Sequence, residues 1–241
     1  MNYQWQWSVL IREPYLGWLL DGIKWTFAIS VMAYAIALVL GTAIGAARTL
    51  RNSRLRQAAA VYVSLLRSVP LLVQLFLWYF VVPEVLPEPA SHWLKRELAN
   101  PEYWTTAVGL GLFMSARIAE QIRAAINASG AGPGNAARAQ GMSTAQIYRH
   151  VLLPIGFRHA LPTLTSELLN TVKNSSLALT IGMLELTGQS RQVEAYTFKG
   201  IETFTASTAI YILMSLAVIF ASRHLERALE IPGMLSSRQK D

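Results

Sequence analysis

In the segment SELLNTVKNSS, Glu167, Asn170, Thr171 and Asn174 recur at i, i+3, i+4 and i+7 and so share one face of a helix. Lys173 projects about 120° away from Glu167 at ~100° per residue. These groups lie inside an otherwise apolar stretch, 160–186. A charge at that depth is costly and faces an aqueous path or a paired charge. Asn and Thr also serve as polar glue between helices, and for Asn170, Thr171 and Asn174 either role fits. A second apolar stretch, 58–82, carries Arg67, Pro70 and Gln74. Pro70 frees a backbone carbonyl and predicts a kink. Arg67 either joins the path or snorkels to the near interface. The chemistry on offer is the binding of a charged, polar solute.

Bond-making chemistry has little support. His92, His150, His159 and His224 show no HExxH spacing, and no GxxxxGK[ST] loop or GxSxG elbow is present. There is no cysteine, which removes disulfides and thiolate metal sites. The chain is expected to hold no metal or cofactor, and ATP with its magnesium would be bound by another subunit.

A different chemistry, docking, is suggested by Gly134–Pro154, GNAARAQGMSTAQIYRHVLLP. Asn135 is a good N-cap, and Ala136, Ala137 and Ala139 favour helix while presenting almost no side chain. Gly141 can take the left-handed conformation that ends a helix. Ser143 with Gln146 fits a capping box that starts another. Pro154 permits a third helix to begin but not the second to continue. An alanine face lets another backbone approach closely.

The elements that position these groups are membrane helices. Hydrophobic residues make up 53% of the 241 and charged residues 15%, against about 25% in a soluble domain. Between Lys24 and Arg48 lie 23 uncharged residues, roughly 34 Å of helix and enough to cross a bilayer. Five spans are expected, near 24–47, 58–82, 101–118, 160–186 and 204–222, in an all-α chain forming one membrane domain over 1–241. The third has the shortest uncharged core, from Tyr103 to Ala116. No removable signal peptide is read at the start, so the first span is an uncleaved helix.

Charge sets the expected orientation. Arg48, Arg51, Arg54 and Arg56 follow the first span without an acidic residue, whereas 83–103 carries Lys95 and Arg96 against four glutamates. The next connection sets Arg117, Arg123, Arg138, Arg149 and Arg158 against Glu120 alone. The connection 187–203 is balanced, and the tail carries Arg223, Arg227, Arg238 and Lys240. The positive-inside rule then puts the N-terminus outside, the C-terminus in the cytoplasm and a loop of about 124–158 on the cytoplasmic side. The net charge of +7 is that of basic cytoplasmic loops and needs no nucleic acid.

Asn135-Ala136-Ala137, three residues, Gly141, nine residues, then Val151-Leu152-Leu153-Pro154 resembles the EAA loop of ABC-importer permeases. Asn135 stands where the family most often has Glu, and Val151 where it often has Ile. Arg67 to Gln74, RSVPLLVQ, resembles a segment of polar amino-acid permeases of the histidine/glutamine type, and so does Glu167 to Ser176. The whole chain looks most like one permease of a glutamate/aspartate importer. That resemblance implies the type I ABC importer architecture in a bacterial inner membrane. It also implies a second homologous permease forming a heterodimer, a cytoplasmic ABC ATPase dimer and an external amino-acid-binding protein. The ATPase-coupling residues would be Asn135, Ala136, Ala137, Gly141, Val151, Leu153 and Pro154. The substrate path would include Glu167, Asn170, Lys173, Asn174, Arg67 and Gln74. A secondary transporter or channel working alone would explain the intramembrane charges but not the alanine-rich, glycine-hinged loop.

Overall fold

The computed structural model describes residues 3–229, and among these residues there are helices and no strand. Arg238 and Lys240 of the basic tail lie outside the described residues. After a 3-10 turn at Trp7–Ile11, α1 (Tyr15–Ala47) runs for 33 residues, roughly 50 Å. It starts well before Lys24, because Trp18, Leu19, Leu20 and Ile23 already continue the apolar pattern.

The second expected span is broken. Helix α2 (Ser53–Ser68) is capped by the Asn52 side chain, which accepts from the Arg54 and Leu55 amides. At Val69 and Pro70 the path bends by 101° into α3 (Leu71–Phe76), which continues through a π turn, Leu77–Val81, into α4 (Val82–Val85). Proline supplies no amide and forbids the preceding residue a helical conformation, so a full break replaces the kink. A short α5 (Glu88–His92) and a second π turn lead into α6 (Pro101–Ala128). Helix α6 is 28 residues long and twice the length of its uncharged core, because Arg117, Glu120 and Arg123 are carried on it and not in a loop.

The connection after α6 holds α7 (Gly132–Ala139) and α8 (Thr144–Ile147). From α8 the backbone passes through a π turn, Tyr148–Leu152, directly into α9 (Leu153–Asn174). The third helix is therefore an extension of the second. In the π turn the Leu153 amide bonds to the Tyr148 carbonyl, five residues back, and this wider turn accommodates the ring of Pro154. Past a 3-10 turn at Ser175–Ile181, Gly182 adopts φ +90° and closes the rod with the Met183 amide on the Ala178 carbonyl. Then come α10 (Leu186–Thr197) and α11 (Gly200–Leu229). The expected span 160–186 thus comprises a helix, a turn and a reversal.

The core lies where α6 packs along α1. Ala33, Ala37, Gly41 and Gly45 of α1, spaced by four, are all buried. A Cβ at Gly41 would stand 2.7 Å from Ile118, and one at Gly45 would stand 2.7 Å from the Ala119 carbonyl oxygen. Such small-residue seams let membrane helices touch backbone to backbone. Leu110, Met114, Ile118 and Ile122 of α6 fill the centre with Leu75 and Leu164. Among the described residues two helices, Tyr15–Ala47 and Gly200–His224, are long and apolar enough to cross a membrane, or three spans if the bent α2–α4 path is one.

Candidate functional site

The connection between α6 and α9 turns at Gly141. Gly141 has φ +80°, its amide donates to the Arg138 carbonyl at 3.0 Å, and the Met142 amide donates to the Ala137 carbonyl at 3.2 Å. These two bonds make the glycine-terminated helix end that the sequence suggests. The capping box is formed: the Ser143 amide donates to Gln146 Oε1 at 2.8 Å, and the Gln146 amide to Ser143 Oγ at 3.4 Å. Asn135, however, is not the N-cap. Helix α7 begins one turn earlier, with Pro133 in its first turn, and the Asn135 amide is already bonded to the Ala131 carbonyl.

Which residues of α7 face outward follows from the same geometry. Ala137 is 5% exposed and packs into the chain, as does Ile147 of α8. Asn135, Ala136 and Ala139 are exposed. Behind α7 lies a cavity of about 470 Å³ lined by Thr49, Arg51, Asn127, Asn135 and Tyr148, among others. Thr49 Oγ1 and the Tyr148 hydroxyl are 2.9 Å apart, which ties the end of α1 to the π turn. Val151, Leu153 and Pro154 are half-buried, and Leu153 packs against the main core.

In the membrane region, the helix face expected at 167–174 splits in two. Glu167 and Thr171 are buried, Asn170 and Asn174 are half-buried, and Lys173 is exposed, as is Ser166 two turns before it. Ser166, Asn170 and Lys173, at i, i+4 and i+7, form an outward polar stripe. The Glu167 carboxylate is taken by Arg117 of α6: Nε donates to Oε2 at 2.7 Å and Nη2 to Oε1 at 3.1 Å. Gln74 is buried at the α2–α3 break, where its Nε2 donates to the Leu66 and Val69 carbonyls at 2.7 and 2.9 Å. It re-satisfies backbone groups that Pro70 leaves open. Arg67 is half-exposed and 3.8 Å from Glu120, which also binds Arg123 at 2.8 Å and pairs with Arg48.

Three polar groups escape sequence reasoning. Arg117 and Glu120 look like loop charges because they follow the uncharged run, and their partners are far away in the chain. Glu185 is fully buried and makes no ion pair among the described residues. Its oxygens accept from the Thr187 and Gly188 amides at 3.0 and 2.9 Å, from the Tyr211 hydroxyl at 2.7 Å and from Thr26 at 3.3 Å. Gly188 lies in α10 against the Met183 carbonyl, where an added Cβ would be 2.6 Å away, so it serves close packing. Among the described residues no group of three or more His, Asp or Glu could hold a metal ion.

Comparison with known proteins identifies the family in which this geometry occurs. The family of binding-protein-dependent transport system inner membrane components matches residues 37–231. This chain belongs to that family. The glutamate/aspartate import permease protein GltJ of Escherichia coli K12 is 39% identical over 246 residues, covering 99% of this chain and 100% of that protein. The glutamine transport system permease protein GlnP of the same strain is 31% identical over 228 residues, covering 95% and 99%. A chain of an amino acid ABC transporter crystallised with histidines superposes with a TM-score of 0.77 at 26% identity, over 94% of this chain and 100% of that one. A chain of the MetNI methionine transporter, at 22% identity and a TM-score of 0.76, shares the fold. The permease is therefore an all-α inner-membrane component of an amino-acid ABC importer, with the type I permease fold. In this family frame, binding and coupling are the chemistries to assign to its residues.

Proposed function

We propose that this permease is one of two homologous, non-identical membrane subunits of an ATP-driven importer for glutamate and aspartate. It crosses the inner membrane five times, with its N-terminus outside and its C-terminus in the cytoplasm. An external binding protein delivers the amino acid, and a cytoplasmic ATPase dimer binds ATP and magnesium. The orientation is supported by the alternation of basic and balanced connections along the chain. The substrate class is supported by likeness to GltJ over nearly the whole chain.

The observation that carries the coupling role is the form of α7 to α9. Helix α7 shows small side chains outward and is braced from behind by Ala137, Ile147 and the Thr49–Tyr148 contact. Its neighbour α8 continues without a break into α9, which bears Glu167, Asn170, Lys173 and Asn174. A push on α7 by the closing ATPases is thereby delivered to the helix lining the path, as a rigid-body transition. In this reading Asn135, Ala136 and Gly141 meet or shape the ATPase contact, and Val151, Leu153 and Pro154 transmit it. Ala136→Trp, which adds bulk to an exposed position, and Gly141→Pro, which forbids φ +80°, are the test. Both should abolish co-purification of the ATPase while the permease still inserts in the membrane. Undiminished ATPase recovery with both variants would refute the coupling role.

A further inference from the structure

The geometry points to Arg117 as the residue that receives a carboxylate of the transported amino acid, with Glu167 as its positioning residue. The inference rests on the amino-acid importer reading above and assigns the substrate contact to a residue outside the three motif segments 67–74, 135–154 and 167–176. A guanidinium carries five N–H donors in a planar fork. Glu167 occupies one edge of that fork, Nε together with one Nη2 hydrogen. The other edge, Nη1 with the second Nη2 hydrogen, makes no hydrogen bond or ion pair among the described residues. That free edge has the spacing that accepts a second carboxylate in two parallel bonds.

Exposure separates the two partners in the same sense. The Glu167 side chain is 4% exposed and the Arg117 side chain is 39% exposed. A ligand arriving from solvent therefore meets the guanidinium and never the carboxylate, so Glu167 is not available to hold a substrate ammonium in this conformation. A half-exposed arginine beyond an apolar run does not face lipid tails, and an aqueous path is the environment that suits it. Arg117 also lies on the less buried face of α6 with Phe113, Glu120, Gln121 and Ala124, at i−4, i+3, i+4 and i+7, whereas the opposite face is buried against α1. Glu167 holds the plane of the guanidinium still, which lowers the ordering cost of binding.

The test is equilibrium binding of radiolabelled L-glutamate and L-glutamine to the purified importer complex without its binding protein. Glu167→Gln leaves Arg117 charged with its free edge intact but no longer holds its plane, so glutamate binding should weaken by about threefold, well short of the loss when the guanidinium is removed. The neutral double variant Arg117→Gln/Glu167→Gln leaves no unpaired buried charge and should lose glutamate binding by about tenfold or more. Loss for glutamate alone assigns the side-chain carboxylate to Arg117, and loss for both amino acids assigns the α-carboxylate. Equal loss in the single and double variants, no loss in either, or a wild-type complex that binds no glutamate would overturn the proposal. The readout is binding and not ATP hydrolysis, so failure of ATPase docking at α7 is told apart from failure here.

Discussion

Two buried carboxylates in this permease are neutralised in opposite ways. Glu167 on α9 faces a guanidinium that is itself half open to solvent, whereas Glu185 at the head of α10 is enclosed by two amides and two hydroxyls from α1, α10 and α11. A charge compensated by another charge can exchange its partner when a ligand brings one. A charge compensated by neutral donors fixed in three helices has nothing to exchange. The first arrangement suits a site of exchange and the second a structural knot, so two buried carboxylates need not share a role.

The comparison can be broken by mutation, and Glu185→Ala should do the most. It removes the cap of α10 and leaves the Thr187 and Gly188 amides and the Thr26 hydroxyl without their acceptor, at roughly 1–3 kcal/mol for each buried donor left unmet. Little folded permease should be recovered by size-exclusion chromatography. Arg117→Met should come next: it leaves Glu167 buried without a partner, a loss of about 3–5 kcal/mol where a buried pair is broken from one side. Thermal unfolding of the purified complex would show it, and the stability of Glu167→Gln in the same assay should lie closer to wild type. Tyr211→Phe should have the smallest effect, about 1 kcal/mol, since it deletes one neutral donor of four. If Tyr211→Phe proved as damaging as Arg117→Met, the two environments would not differ in kind.

The same contrast explains what could be read from the chain beforehand. Local chemistry was legible: Gly141 ends α7, Ser143 and Gln146 box α8, and Pro70 interrupts the second apolar run, because each acts within a few residues. Glu167 stood out because its helical neighbours are apolar or carry only Asn and Thr. Its partner did not, since Arg117 is 50 residues away and follows an uncharged run. Glu185 depends on Thr26, 159 residues back, and Tyr211, 26 residues on, so no periodicity could mark it. The misplaced N-cap at Asn135 has a different cause: Pro133 starts a helix as well as an asparagine does, and it comes first.

The seam between α1 and α6 has a mechanical consequence. With glycine and alanine at the crossing and main-chain atoms meeting carbonyls, neither rod can slide or roll past the other without a steric collision. The pair behaves as a chassis. Any rearrangement is then left to the jointed parts around it, at the right-angled elbow of Pro70 and the turn at Gly182, which flank α9 in the sequence.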